Sequence, residues 1–331
     1  MPAGVRLLFG VNATGPGTLA GRIVPEQVQP AQPPRLDVVF LEHIPAAGSE
    51  TQGTPNDARA ATPQDDPATG TAGGTESTGD QPPVENQPLG VEIGPDGGFE
   101  FDVPAGDSVL EIWLPQSTDF RLRDLTLPDG ARLLPYRPPQ RPRWLAYGSS
   151  ITQCASAPTP TRTWPALVAR SLGWDLTCLG FAGECHLDPM IARTIADRPA
   201  DLVTACLGIN VYGQGSFNAR SYLPAVLGFI SAIRDGHPDI PIVLISPICS
   251  PEREETSGAA GMTLRGMREQ LAEAHRLLHG HGDSNLHLVN GPDLLGEAQS
   301  DLLGDGLHPT GEGYAAIAKA IAPTLDPLLS R

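Results

Sequence analysis

From Arg143 to the end of the chain, short apolar runs alternate with stretches whose apolar residues recur every three or four positions. Five runs (Trp144 to Tyr147, Asp175 to Leu179, Asp201 to Leu207, Ile242 to Ser246 and Leu286 to Val289) have the length and composition of buried strands. Leu264, Met267, Leu271, Ala274 and Leu278 mark the buried stripe of a surface helix. Tyr314, Ile317, Ala318 and Ile321 do the same in a final helix that Pro323 is expected to stop. Parallel strands need a crossover between them, and helices provide it. The pattern therefore predicts an α/β three-layer, flavodoxin-like fold on a five-stranded parallel sheet. In such a sheet the functional groups gather at the carboxyl ends of the strands.

The preceding part reads differently. Arg35 to Leu41, Gly98 to Val103 and Val109 to Leu114 are rich in β-branched and aromatic residues. Turn chemistry separates them, at Gly94-Pro-Asp-Gly97 and Pro128-Asp-Gly130, and no helical period intervenes. Residues 1–138 are thus expected to form an all-β sandwich domain. Pro135 to Pro142 read as a stiff linker into the α/β domain, residues 139–331.

Between Ala46 and Leu89 large apolar residues almost vanish. Such a segment cannot offset its ordering entropy by burial, so a disordered acidic insertion is expected at 46–89, with a docking tail as the alternative. It holds seven acids and one arginine, a net −6 out of the chain's −16. The rest, about −10, still argues against nucleic acid or an anionic membrane surface as a partner.

No apolar run approaches the ~18 residues of a membrane span. The patch from Leu7 to Val11 is shorter than a signal-peptide core of ~7–15 apolar residues and reads as a first strand. The five cysteines are odd in number and contain no Cys-x-x-Cys pair, so reduced thiols and a cytoplasmic location are expected.

Four segments fall at the carboxyl ends of the expected strands. After the first comes Tyr147-Gly-Ser-Ser-Ile-Thr152, where Gly148 permits a tight turn that projects Ser150 over the sheet edge. After the second comes Leu179-Gly-Phe-Ala-Gly183, where glycine lets a backbone N–H approach a reacting oxygen. After the third comes Leu207-Gly-Ile-Asn210, whose Asn amide can donate to an oxyanion without moving a proton. After the fifth comes Asp305-Gly-Leu-His308-Pro309. There an acid can orient an imidazole that takes a serine proton. The same pair could serve as metal ligands, but no further Cys or His stands at ligand spacing. Each segment alone is weak: Gly-Ser-Ser is ordinary loop composition, and a lone Asn is usually a turn former. Their joint occurrence in this order decides the reading. Of the other histidines, His275 and His279 are expected on solvated helix surface, and His186 is a candidate to line the site.

These four segments resemble the motif blocks of the SGNH hydrolase superfamily, the GDSL esterases and lipases, over roughly Arg143 to Leu328. The resemblance implies Ser150 as nucleophile, with Asp305 and His308 completing the triad. It also implies an oxyanion hole from the N–H groups of Ser150 and Gly183 and the Asn210 amide. Two departures stand out. The family's Gly-Asp-Ser reads Gly148-Ser149-Ser150 here, so the choice of serine is an inference from alignment. The Asp that often follows the amide donor is Val211. With its front sandwich, the whole chain also resembles the GDSL-type acyltransferases of tetracycline-type polyketide biosynthesis, whose first domain is similar to a carbohydrate-binding module. Carbohydrate esterases with a front sandwich share the plan. The implied activity is ester chemistry through an acyl-enzyme, resolved by water or by an alcohol, with acyl transfer to a natural-product or glycoside hydroxyl preferred. Carboxylesterase, lipase or carbohydrate deacetylase activity is the alternative. The implied partners are a small-molecule ester or acyl donor and, for transfer, an acceptor alcohol; no cofactor or metal is implied. A non-catalytic glycan-binding protein is the rival from another class.

Overall fold

The computed structural model describes residues 6–25, 34–45, 86–118 and 120–329. The first region contains β1 (Arg6–Ala13), β2 (Gly17–Pro25), β3 (Arg35–Pro45), β4 (Pro88–Glu92), β5 (Gly98–Val103), β6 (Gly106–Trp113), β7 (Phe120–Thr126) and β8 (Arg132–Leu134). They pair antiparallel into one sheet ordered β4-β3-β6-β1-β8 and a second ordered β5-β2-β7. Strand β5 shows the period of two that a one-sided strand requires: Phe99, Phe101 and Val103 are buried, while Glu100 and Asp102 are exposed. A turn precedes it, with the Gly97 N–H donating to the Gly94 carbonyl at 2.8 Å.

Strand β6 departs from that period and is buried almost throughout. Leu110 and Ile112 enter the sandwich core with Leu36, Val38 and Phe40 of β3. Trp113 and Val39 face the other way and join the core formed around the parallel sheet. Complete burial of a valine side chain contributes about 2 kcal/mol. Polar groups cross the same boundary. Asp37, only 1% exposed, accepts from the N–H (3.0 Å) and the hydroxyl of Thr161, which satisfies a carboxylate that would be costly if buried alone. Arg6 pairs with Glu111 at 2.8 Å and with Asp175, and its guanidinium lies over the Trp113 ring.

The second region carries β9 (Arg143–Gly148), β10 (Asp175–Gly180), β11 (Leu202–Cys206), β12 (Ile242–Ile245) and β13 (Leu286–Val289). All pair parallel, in the order β10-β9-β11-β12-β13, and each matches its expected run to within one residue at either end. The winding reverses between β9 and β11, which opens a crevice at their carboxyl ends. Around the sheet lie α1 (Ser150–Gln153), α2 (Trp164–Leu172), α3 (Pro189–Ala196), α4 (Ile209–Gln214), α5 (Tyr222–Arg234), α6 (Leu264–Gly280), α7 (Gly291–Leu294) and α8 (Gly311–Leu329). Helix α6 starts at Thr263, whose hydroxyl accepts the Gly266 N–H, and it buries Leu264, Met267, Leu271 and Ala274. No helix among the described residues is long and apolar enough to cross a membrane.

Three expectations need correction. Pro323 does not stop the last helix: α8 runs to Leu329 through Pro323 and Pro327. Each proline removes one backbone bond, but Leu325 is fully buried and Leu328 and Leu329 pack on the core, so tertiary burial carries the last turns. His275 is half-buried rather than on the open helix surface: its Nε2 donates to the Leu286 carbonyl at 3.0 Å and ties α6 to β13. Pro88 and Leu89, placed in the acidic insertion, belong to β4 opposite Val39 and Val38. Residues 46–85 lie outside the described residues.

Because β3 and β4 are antiparallel neighbours, 46–85 connect the two strands of a hairpin. Loop length is thermodynamically cheap, about 0.6 kcal/mol per doubling. Replacing 46–85 by a short Gly-Ser link should leave the melting temperature within about 3 °C of wild type and kcat unchanged. A fall of more than about 10 °C in a thermal melt would show that the segment packs on the fold.

Candidate active site

Strand β9 ends at Gly148, where a Cβ would stand 2.1 Å from Thr152 Oγ1. The glycine is needed for this close approach of α1 and not for the tight turn expected from the sequence, since its φ is not among the positive ones. Ser149 follows as the N-cap of α1. Its hydroxyl accepts the Ile151 N–H at 3.2 Å, and the residue is fully buried. Ser150 is the first helical residue and half-buried, with Oγ 2.9 Å from His308 Nε2. The two serines thus differ in kind: one hydroxyl is spent on the helix end, the other meets an imidazole.

The loop between β13 and α8 supplies that imidazole. Asp305 Oδ2 lies 2.7 Å from His308 Nδ1, and Oδ1 accepts the N–H groups of Leu307 (3.0 Å) and His308 (2.7 Å). Burial pushes the Asp305 carboxyl up, but the His308 N–H, the His308 ring and the Leu307 N–H together outweigh it and hold the pKa at about 2. An ionised Asp305 keeps the proton of the neutral ring on Nδ1, which leaves Nε2 as acceptor toward the Ser150 hydroxyl. The loop is closed by the Gly304 N–H on the His308 carbonyl at 2.9 Å.

Gly183 adopts φ +75°, a left-handed conformation that favours glycine, in the turn after β10. Its carbonyl accepts from Gln214 Nε2 (2.5 Å) and His186 Nε2 (2.9 Å). The N–H groups of Ser150 and Gly183 make no hydrogen bond among the described residues. Asn210 is the second residue of α4. Its Oδ1 accepts the Cys185 N–H at 3.0 Å, and an N–H demands the oxygen, so the amide orientation is fixed and Nδ2 is left to donate elsewhere. Val211 is buried in the core. The structure therefore brings Ser150, Asp305 and His308 into one hydrogen-bonded line and joins the Gly183 turn to the start of α4 through the Cys185–Asn210 bond.

Several contributors were missed in the sequence. Ser250 Oγ donates to the Gly306 carbonyl at 2.6 Å, and Arg253 donates to the same carbonyl (3.2 Å) and to Ser250 Oγ (2.9 Å). Both hold the loop between Asp305 and His308. They lie after β12, the one strand whose carboxyl end had offered no motif. His186 braces the Gly183 turn against Ser216 Oγ (2.8 Å), so it acts as a strut. An open hollow of about 460 Å³ flanks Asp305 and His308, lined also by Ser156, Pro158, Thr310 and Gly311. Among the described residues no group of three His, Cys, Asp or Glu is placed to hold a metal ion.

Residues 142–326 match the GDSL-like lipase/acylhydrolase family. The chain belongs to this family and is an enzyme of ester chemistry, of the ester hydrolase or O-acyltransferase kind. No curated protein matches the chain. Among solved structures it is similar to the salicylyl-acyltransferase SsfX3 from a tetracycline biosynthetic pathway, with 30% identity, 99% of this chain and 84% of that one covered, and a TM-score of 0.75. It is also similar to a family 2 carbohydrate esterase with a carbohydrate-binding domain from Corynascus thermopiles (17% identity; 99% and 95% covered; TM-score 0.65). A third is a family two carbohydrate esterase from Clostridium thermocellum in complex with cellohexaose (13%; 98% and 92%; 0.63). The two esterases share the fold.

Proposed function

We propose that this protein is a serine O-acyltransferase that works through an acyl-enzyme. Ser150 Oγ attacks the acyl carbonyl while its proton passes to His308 Nε2. Asp305 holds the ring and stabilises the imidazolium. The oxyanion is met by the N–H groups of Ser150 and Gly183 and by Asn210 Nδ2, donors left unspent by the fold. His308 then gives its proton to the leaving group. In the second half an acceptor hydroxyl loses its proton to His308, attacks the acyl-Ser150 carbonyl, and Ser150 Oγ is reprotonated. The observation that carries this reading is the Ser150–His308–Asp305 line, with contacts of 2.9 and 2.7 Å.

The similarity to SsfX3 over nearly the whole chain favours transfer to a natural-product or glycoside hydroxyl. The likeness to carbohydrate esterases favours hydrolysis as the second reading, through the same acyl-enzyme. The front sandwich, residues 1–138, is read as a module similar to carbohydrate-binding domains. Five free, buried cysteines support a reducing compartment, the cytoplasm.

Transfer requires a bound alcohol to outcompete water, which only proximity in a water-poor site achieves. The test forms the acyl-enzyme from an aryl ester and follows its decay with and without polyketide or glycoside alcohols. We expect an acceptor to accelerate decay and appear acylated. Rapid decay by water, with no acceptor changing the product ratio, would make the protein an esterase. A fluorophosphonate that labels no residue would overturn the acyl-enzyme reading.

A further inference from the structure

Gln153 is the last residue of α1, three positions beyond Ser150. Its side-chain amide spans two parts of the molecule. Oε1 accepts the Ala182 N–H at 2.9 Å, and Nε2 donates to the main-chain carbonyl of Gln116 at 3.1 Å. The amide has no second orientation, since an N–H needs the oxygen and a carbonyl needs the amino group. Gln116 lies just beyond β6, is 4% exposed, and sends its own Nε2 to the Ala157 carbonyl at 3.0 Å. One residue of the sandwich thus grips the chain after Ser150 at two places. The backbone of Gln153 has little play either: a Cβ at Gly180, the end of β10, would stand 2.3 Å from its N atom.

Ala182 immediately precedes Gly183, so Gln153 fixes the peptide plane next to the one that carries the Gly183 N–H. The downstream side of this turn is held by Gln214 and His186 at the Gly183 carbonyl and by Asn210 at Cys185. Upstream, the Phe181 N–H reaches the Gly148 carbonyl at 2.8 Å, and Gln153 is the side chain that completes the hold.

We propose that Gln153 is a positioning residue that ties the oxyanion turn at Ala182 and Gly183 to the β-sandwich through Gln116, so that the sandwich is a structural part of the active site. The proposal rests on the reading of the Gly183 N–H as an oxyanion donor. Such a donor acts on charge that develops in the transition state, so its displacement lowers kcat and leaves substrate binding alone.

Gln153→Met keeps length and volume and removes both polar contacts. We expect kcat to fall about 10–100-fold with KM within about twofold of wild type. Affinity for an arylboronic acid, which forms a tetrahedral adduct on serine, should fall in parallel. Gln116→Leu keeps the main-chain carbonyl that Gln153 meets and removes only the bond to the Ala157 carbonyl, so it should lower kcat at constant KM by a smaller factor. The double variant should lose little more than Gln153→Met alone, because both act along one path. A Gln153→Met enzyme within about threefold of wild-type kcat, while Ser150→Ala is inactive, overturns the proposal and leaves the triad standing. Fully additive losses overturn the link to the sandwich. Should Gln153→Met fail to fold, Gln153→Glu decides: it keeps an acceptor for the Ala182 N–H and loses the donor to the Gln116 carbonyl, and an unchanged kcat overturns the proposal. Turnover surviving in Ser150→Ala overturns the triad reading independently of Gln153.

Discussion

Ser150→Ala should lower kcat by about 10⁴–10⁶-fold and abolish covalent labelling by a fluorophosphonate. The size follows from the order of events. In the proposed mechanism no acyl-enzyme forms without Oγ, and the residual rate comes from the oxyanion donors acting on water. Ser149→Ala is the informative companion. Ser149 is buried and caps α1, so its loss should cost about 1 kcal/mol of stability and leave the reaction in place. Intact-mass analysis should find the adduct in wild type and in Ser149→Ala and none in Ser150→Ala. An adduct that persists in Ser150→Ala would transfer the nucleophile to another residue.

The second large effect is expected at Asn210. Asn210→Ala should lower kcat by about 10²–10³-fold with little change in KM, because the Nδ2 bond forms chiefly in the transition state. The same residue also orders the Cys185 N–H through Oδ1, so the substitution needs a partner that separates the two roles. Asn210→Asp retains an acceptor for Cys185 and loses the donor. If donation matters, Asp is at least as impaired as Ala. If Asn210→Asp restores wild-type kcat, or if Asn210→Ala loses less than about threefold, the residue serves only the loop.

The parallel sheet was legible because buried strands between helices are dense apolar runs with polar ends, and all five stand out against their surroundings. The end of α8 was not, because backbone chemistry at Pro323 is local whereas the burial of Leu325 that overrides it is tertiary. For the candidate site, residue type and strand order were enough to place Ser150, Gly183, Asn210, Asp305 and His308 beyond the carboxyl ends of their strands. Sequence could not separate Ser149 from Ser150 except by alignment, since capping is a property of the three-dimensional helix end. The struts Ser250, Arg253, Gln214 and His186 escaped for a related reason. They act on main-chain carbonyls, and a carbonyl carries no signature in residue identity.

The sheet that holds β3 and β6 divides its side chains between two interiors. Even-numbered Leu110 and Ile112 enter one, and odd-numbered Glu111 and Trp113 turn toward the other. A slip of β6 by a single position would push a carboxylate into the phenylalanine-lined interior and withdraw Trp113 from its neighbours. Misalignment is therefore penalised from both faces at once, and neither half of the chain has a finished surface of its own at this boundary. Exchange of the front half for another sandwich, as between independent modules on a flexible tether, would take away Arg6, Asp37, Val39 and Trp113 and leave Asp175, Thr161 and the second core without these partners. In this molecule the two halves form one packed unit.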